Sequence, residues 1–184
     1  MKLPKKKYGL IYADPPWKHR DKAKAGNRGA ESKYSVMNLD DLCALPVKDI
    51  AADDCLLAMW YSNQMPVEAI TLVEAWGFKP KRIVNMNGFT WSKKTKTGKQ
   101  FFGMGYYTRA SIECCLFAVK GSPKIASHSV RQCIEAVPRE HSRKPDEARD
   151  RLETLVGSKK RIELFAREWK QGWDCWGNEI QVFS

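Results

Sequence analysis

Residues 8–13, Tyr-Gly-Leu-Ile-Tyr-Ala, form a short apolar run that stops at Asp14-Pro15-Pro16-Trp17. Such a run reads as a strand buried on both faces. Two consecutive prolines cannot donate to a sheet ladder, so the strand has to end there. A strand covered on both sides belongs to a sheet with helices on both faces. The rest of the chain repeats the theme. Further apolar strands are predicted over residues 55–60, 81–91, 113–119 and 161–166. Helices are expected from the cap Asn38 to about Ile50, interrupted at Pro46; from Pro66 to Gly77, with Val67, Ile70, Val73 and Trp76 on one side; and from Pro145 to Gly157, with Ala148, Leu152, Leu155 and Val156 as the apolar stripe. Residues 120–144 read as irregular. The expectation is one α/β domain over residues 1–184, a mostly parallel sheet with helices on both faces.

In such sheets ligands sit beyond the carboxyl ends of the strands. Asp14, residues 60–63 and Arg167 are expected there. Neither G-x-G-x-x-G nor G-x-x-x-x-G-K-[ST] occurs, so a standard dinucleotide or triphosphate site is not supported.

Charge narrows the partner. The chain carries 32 Lys+Arg against 21 Asp+Glu, a formal net charge of +11. That points to a polyanion, nucleic acid before membrane, because no basic amphipathic helix stands out. No apolar run approaches the ~20 residues of a membrane span. The basic N-terminus is not followed by a signal-peptide stretch, which points to the cytoplasm. Six cysteines without a C-x-x-C pair read as reduced, mostly buried thiols, and no metal is expected. Cys114 and Cys115, adjacent in a strand, should face opposite sides. Three basic segments, 18–33, 93–107 and 120–144, are the expected phosphate-binding surface.

Asp14-Pro15-Pro16-Trp17 has its own chemistry. A carboxylate only accepts hydrogen bonds. Each proline deletes an N–H, so the turn offers carbonyls without competing donors, and Trp17 adds a flat face. Two acceptors beside an aromatic platform suit a planar amine with two N–H bonds, such as the exocyclic amine of adenine.

Together with His141-Ser-Arg-Lys-Pro-Asp-Glu147, the stretch 161–167 (Arg-Ile-Glu-Leu-Phe-Ala-Arg) and Gly177-Asn178, the tetrapeptide resembles the MTA-type N6-adenine methyltransferases over almost the whole chain, from about Tyr8 to Glu179. The resemblance implies a Rossmann-like S-adenosylmethionine-dependent methyltransferase fold with permuted motif order. It also implies S-adenosyl-L-methionine as cofactor, and no metal. Asp14, Pro15, Pro16 and Trp17 would be the catalytic loop. Asp14, Lys144, Glu163, Phe165, Arg167, Asn178 and Glu179 would bind the cofactor, with Glu163, Phe165 and Arg167 alternating along one face of a strand. Glu179 stands where the family commonly has Gln. Tyr34, Trp60, Ser62, Trp91, Lys93, Tyr106, Tyr107, Arg109 and Glu113 match positions that line the target pocket. For Trp60 and Trp91 core packing and base stacking stay open. Glu113 needs a partner, with Arg109 or the target base as alternatives.

The implied reaction takes an adenine out of its stack and transfers a methyl group directly to its amine. DNA is the expected substrate, in a bacterial or phage setting. Alternatives are an RNA adenosine methyltransferase, an inactive nucleic-acid-binding relative, or a methyltransferase for another planar amide.

Overall fold

The computed structural model describes residues 2–18, 36–105, 107–140, 143–178 and 180. Seven strands form one sheet: β1 Tyr8–Ala13, β2 Ala51–Tyr61, β3 Ile83–Lys93, β4 Ile112–Lys120, β5 Cys133–Ala136, β6 Arg161–Leu164 and β7 Asp174–Trp176. Their spatial order is β5-β3-β4-β2-β1-β6-β7. β1 pairs in parallel with β2 and β6, β6 with β7, and β3 with β5. β4 runs antiparallel between β2 and β3. The sheet is therefore mostly parallel, as expected, with β4 the reversed strand.

The central strands alternate between two cores. Ile11, Leu57, Met59 and Ile162 face one cluster; Leu10, Tyr12, Leu56 and Trp60 face the other. Helix α1 (Leu39–Cys43) and helix α2 (Pro66–Ala75) cover the first face through Leu42, Ala69, Leu72 and Val73. Helix α3 (Asp146–Val156) covers the second through Ala148, Leu152 and Val156. Cys114 and Cys115 fall in opposite clusters, as strand alternation requires.

Local signals act as their chemistry predicts. The Asn38 side chain accepts from the Asp41 N–H at 2.8 Å and caps α1. Pro66 opens α2 and Gly157, at φ 67°, stops α3. Four expectations need correction. The helix after Asn38 ends at Cys43, and a 3-10 turn at Val47–Asp49 replaces its second half beyond Pro46. Val67 is 70% exposed, because the buried side of α2 runs through Ala69, Leu72 and Val73. Residues 120–144 contain β5, which buries only Ile134 and shows little hydrophobic signal. The late strand ends at Leu164, because Phe165 adopts φ 61°. Among the described residues no helix is long and apolar enough to cross a membrane.

Candidate active site

β1, β2 and β6 run in parallel and deliver Asp14, Ser62 and Phe165 to the same edge of the sheet. The tetrapeptide loop is pinned there by backbone and side-chain bonds. The Trp17 N–H donates to the Pro15 carbonyl at 2.9 Å, and the Met37 N–H donates to the Pro16 carbonyl at 2.9 Å. The Trp17 indole donates to the Trp60 carbonyl at 3.2 Å, tying the loop to the end of β2. Trp60 in turn donates to the Tyr12 hydroxyl at 2.7 Å, in the core below.

Two clefts meet at Asp14. The larger has a volume of about 720 Å³ and is lined by Asp14 to Trp17, Trp60 to Gln64, Lys93, Gly105, Tyr107 to Glu113, Lys144 and Arg167. The smaller, about 30 Å³, is lined by Tyr12, Asp14, Lys144, Glu163, Phe165, Arg167 and the Arg143–Arg149–Glu168 cluster. Asp14, Lys144 and Arg167 border both.

Lys144 is the electrostatic centre. Its Nζ lies 2.8 Å from Asp14 Oδ2 and 3.2 Å from Glu113 Oε2, with its side chain only 12% exposed. It also stands 5.8 Å above the Trp60 ring. Burial alone would lower the Lys144 pKa; Asp14 and then Glu113 outweigh it and raise it, so the ammonium stays charged. Burial likewise pushes the Glu113 carboxyl up, but Lys144 and then Lys93 bring it below its ordinary value. Glu113 accepts from Lys93 at 2.5 Å. Its partners are therefore these two lysines and not Arg109, whose guanidinium stacks 5.1 Å from the Phe102 ring.

Glu163 lies on the α3 face of β6, opposite Ile162 and Leu164. Its Oε2 is 3.2 Å from Arg149 on α3. Burial dominates its titration and Arg149 only partly opposes it, which leaves the Glu163 pKa raised to about 7. Phe165 does not share its strand face. With φ 61° its ring turns to the other side of the sheet, 5.5 Å from Trp176 and 6.5 Å from Trp76. The two residues still meet at the smaller cleft, reached from different faces.

The remaining expected positions divide cleanly. Trp60, Ser62, Lys93, Tyr107, Arg109 and Glu113 line the larger cleft. Trp91 does not: it is core, 1% exposed, with its indole bonded to the Ala136 carbonyl at 2.9 Å. Asn178 is exposed and borders neither cleft. Tyr34, Tyr106, Glu179 and most of the 18–33 segment lie outside the described residues. In the 120–144 segment, Arg139 and Arg143 are engaged by Asp146 and Glu168, and Lys144 by the site itself, so that stretch is less a phosphate surface than expected. Arg149 was not among the expected site residues. It is 7% exposed and binds Asp146, Glu163 and Glu168. Its signal was a cation three residues before Leu152 and seven before Val156, on the buried stripe of α3, where a charge must be paired.

An open, mostly parallel sheet with its clefts beyond the ends of β1, β2 and β6 is the layout of a Rossmann-like methyltransferase domain. The MT-A70 family model matches residues 8–179, and the chain belongs to the MT-A70 family. It is 36% identical over 197 residues to the type II methyltransferase M.MunI of a Mycoplasma species, covering 97% of this chain and 80% of that relative. It is 31% identical over 184 residues to the N6-methyladenosine RNA methyltransferase MTA1 of Cryphonectria parasitica, covering 96% of this chain and 53% of that protein. It is 26% identical over 190 residues to the N(6)-adenine-specific methyltransferase METTL4 of Mus musculus, covering 97% and 39%.

Proposed function

We propose that this chain is an S-adenosylmethionine-dependent N6-adenine methyltransferase acting on DNA, by direct transfer to an adenine held out of its stack. The observation that carries this reading is the junction of the two clefts at Asp14. One acceptor-rich loop faces a wide cleft on one side and a charged, carboxylate-bearing cleft on the other.

The donor set around the smaller cleft fits the cofactor's chemistry. Lys144 and Arg167 offer cations for a carboxylate, Asp14 an acceptor for an ammonium group, and Glu163 an acceptor for hydroxyls. S-adenosylmethionine, when bound, supplies an electrophilic methyl group. The chain's own residues do the positioning. Asp14 and the Pro15 carbonyl accept the two amine protons of adenine. The Trp17 N–H already fixes the direction of that carbonyl, and its second lone pair serves the substrate. Lys144 holds Asp14 in place without exhausting a carboxylate that has about four lone-pair sites. Asp14 then accepts the proton the methylated amine releases, or passes it to solvent. Catalysis of this kind is mostly orientation.

DNA is favoured over RNA because the type II methyltransferase is matched at higher identity, and across more of its own length, than the RNA methyltransferase. The Mycoplasma relative supports a cytoplasmic setting, bacterial or phage-infected. The test is incubation with labelled S-adenosylmethionine and randomised DNA or RNA oligonucleotides, with digestion and mass spectrometry. The expected product is N6-methyladenine in DNA. Product in RNA alone would reassign the substrate; product in neither would overturn the reading.

A further inference from the structure

The described residues include nine exposed large hydrophobic side chains, and five of them (Phe101, Phe102, Met104, Tyr107 and Ile112) fall in one twelve-residue stretch after β3. Scattered exposed apolar residues need no explanation; a concentration at the rim of a cleft does. Phe102 is 76% exposed and Met104 91%. The fold makes little use of either.

Two turns shape the described residues around them. A first turn closes where the Thr95 N–H donates to the Lys99 carbonyl at 2.8 Å and the Gly98 N–H to the Thr95 carbonyl at 2.9 Å. A second closes where the Gly103 N–H donates to the Ala110 carbonyl at 2.9 Å. At Gly105 a Cβ would stand 2.1 Å from the Thr108 carbonyl oxygen, so the turn requires glycine there. Gly105 and Thr108 line the larger cleft, which places the apolar tip at its mouth. Cations flank it. Arg109 stacks on Phe102 at 5.1 Å, and Lys96 and Lys99 are exposed on the neighbouring turn.

An apolar tip between cations, at the entrance of a cleft that would take an extracted base, matches the chemistry of duplex DNA. Apolar side chains can enter between base steps while cations hold the phosphates on either side. We propose that the Phe102–Met104 turn is a wedge that enters the duplex and fills the space left by the target adenine. The proposal rests on the DNA methyltransferase reading above and adds a substrate form to it: double-stranded DNA, opened by this turn.

The test compares methylation of a randomised adenine-containing DNA pool, single-stranded and duplex, by the wild-type chain and by the Phe102→Ala/Met104→Ala double variant. Both positions are solvent-exposed, so the melting temperature should be unchanged. Because the wild-type turn would offset the cost of unstacking a base step, the variant should lose on the order of tenfold or more on duplex. It should keep single-stranded activity within about twofold, a tolerance of about 0.4 kcal/mol. Mispairing the adenine that the wild-type chain methylates in that pool should restore most of the variant's duplex rate, and Phe102→Leu/Met104→Leu should retain it. Equal losses on both forms, or no loss on duplex, would overturn the wedge while leaving the methyltransferase reading standing. A wild-type chain inactive on both forms would overturn that reading and the wedge with it.

Discussion

Lys144 Nζ sits 2.8 Å from Asp14 Oδ2, across 130 residues of sequence, and joins the loop after β1 to the segment before α3. Glu113 of β4 closes the arrangement from the other side at 3.2 Å. One buried cation thus pairs with two carboxylates from different strands, and Lys93 shares Glu113 with it. Replacing Lys144 by Met removes the cation beside Asp14 and leaves Glu113 with Lys93 alone. The expected cost is about 3 kcal/mol of folding stability, the scale for removing one partner from a buried pair. Chemical denaturation measures it, and a loss below about 0.5 kcal/mol would contradict the pairing.

Arg149 lines the smaller cleft beside Glu163. It touches no part of the larger cleft but holds Glu163 at 3.2 Å and binds Glu168 and Asp146 as well. Arg149→Met should weaken S-adenosylmethionine binding by roughly tenfold to a hundredfold, the scale of losing an orienting partner behind a ligand-binding group. It should leave the rate at saturating cofactor much less affected. Calorimetric titration and a KM-against-kcat comparison separate the two effects.

Glu163 gives a pH signature. Its folded pKa, raised to about 7, stands above its ordinary value of 4.5. Between those values the folded chain keeps a proton that the unfolded chain has released. Stability from this group is therefore present at low pH, falls as pH rises through about 7, and is flat above. Relative to Glu163→Gln, the wild-type melting temperature should decline from pH 5 to pH 8. Cofactor affinity should rise over the same range as the carboxylate forms, and Arg149→Met should move that rise to higher pH.

Gly177 follows β7, and a Cβ there would lie 2.3 Å from the Ala166 carbonyl oxygen and 2.8 Å from the Ala166 nitrogen. Both are backbone atoms and cannot swing away. Gly177→Ala should cost about 1–3 kcal/mol by overpacking. It should also displace Phe165, whose carbonyl carbon is 3.1 Å from the same point, and so weaken cofactor binding. Thermal denaturation with and without cofactor reads both.

The parts of the fold legible in sequence were those with dense local signals. β1 ends at Ala13 as expected because Asp-Pro-Pro leaves the ladder no alternative. The loop chemistry was legible for the same reason, since its donors and acceptors are fixed by residue type. β5 was not legible: four residues with one buried side chain, amid lysines and arginines, owe their strand to pairing with β3. The lysine partners of Glu113 were not legible, because Lys93 and Lys144 reach it from β3 and from just before α3, contacts with no sequence period. Phe165 was misread because its positive φ breaks the alternation that strand geometry predicts. Trp91 is core, its indole bonded to the Ala136 carbonyl of β5, a strand with little signal of its own.

Asp14 carries the central claim. The most direct measurement is the single-turnover rate of methyl transfer to adenine in DNA by Asp14→Asn, alongside its affinity for the oligonucleotide. Asparagine keeps the size but removes the charge and one acceptor. The rate should fall about a hundredfold or more, the scale of losing a positioned proton acceptor, with oligonucleotide binding retained. A rate within about threefold of wild type, less than 1 kcal/mol of barrier, would contradict the assignment of Asp14 to the reaction.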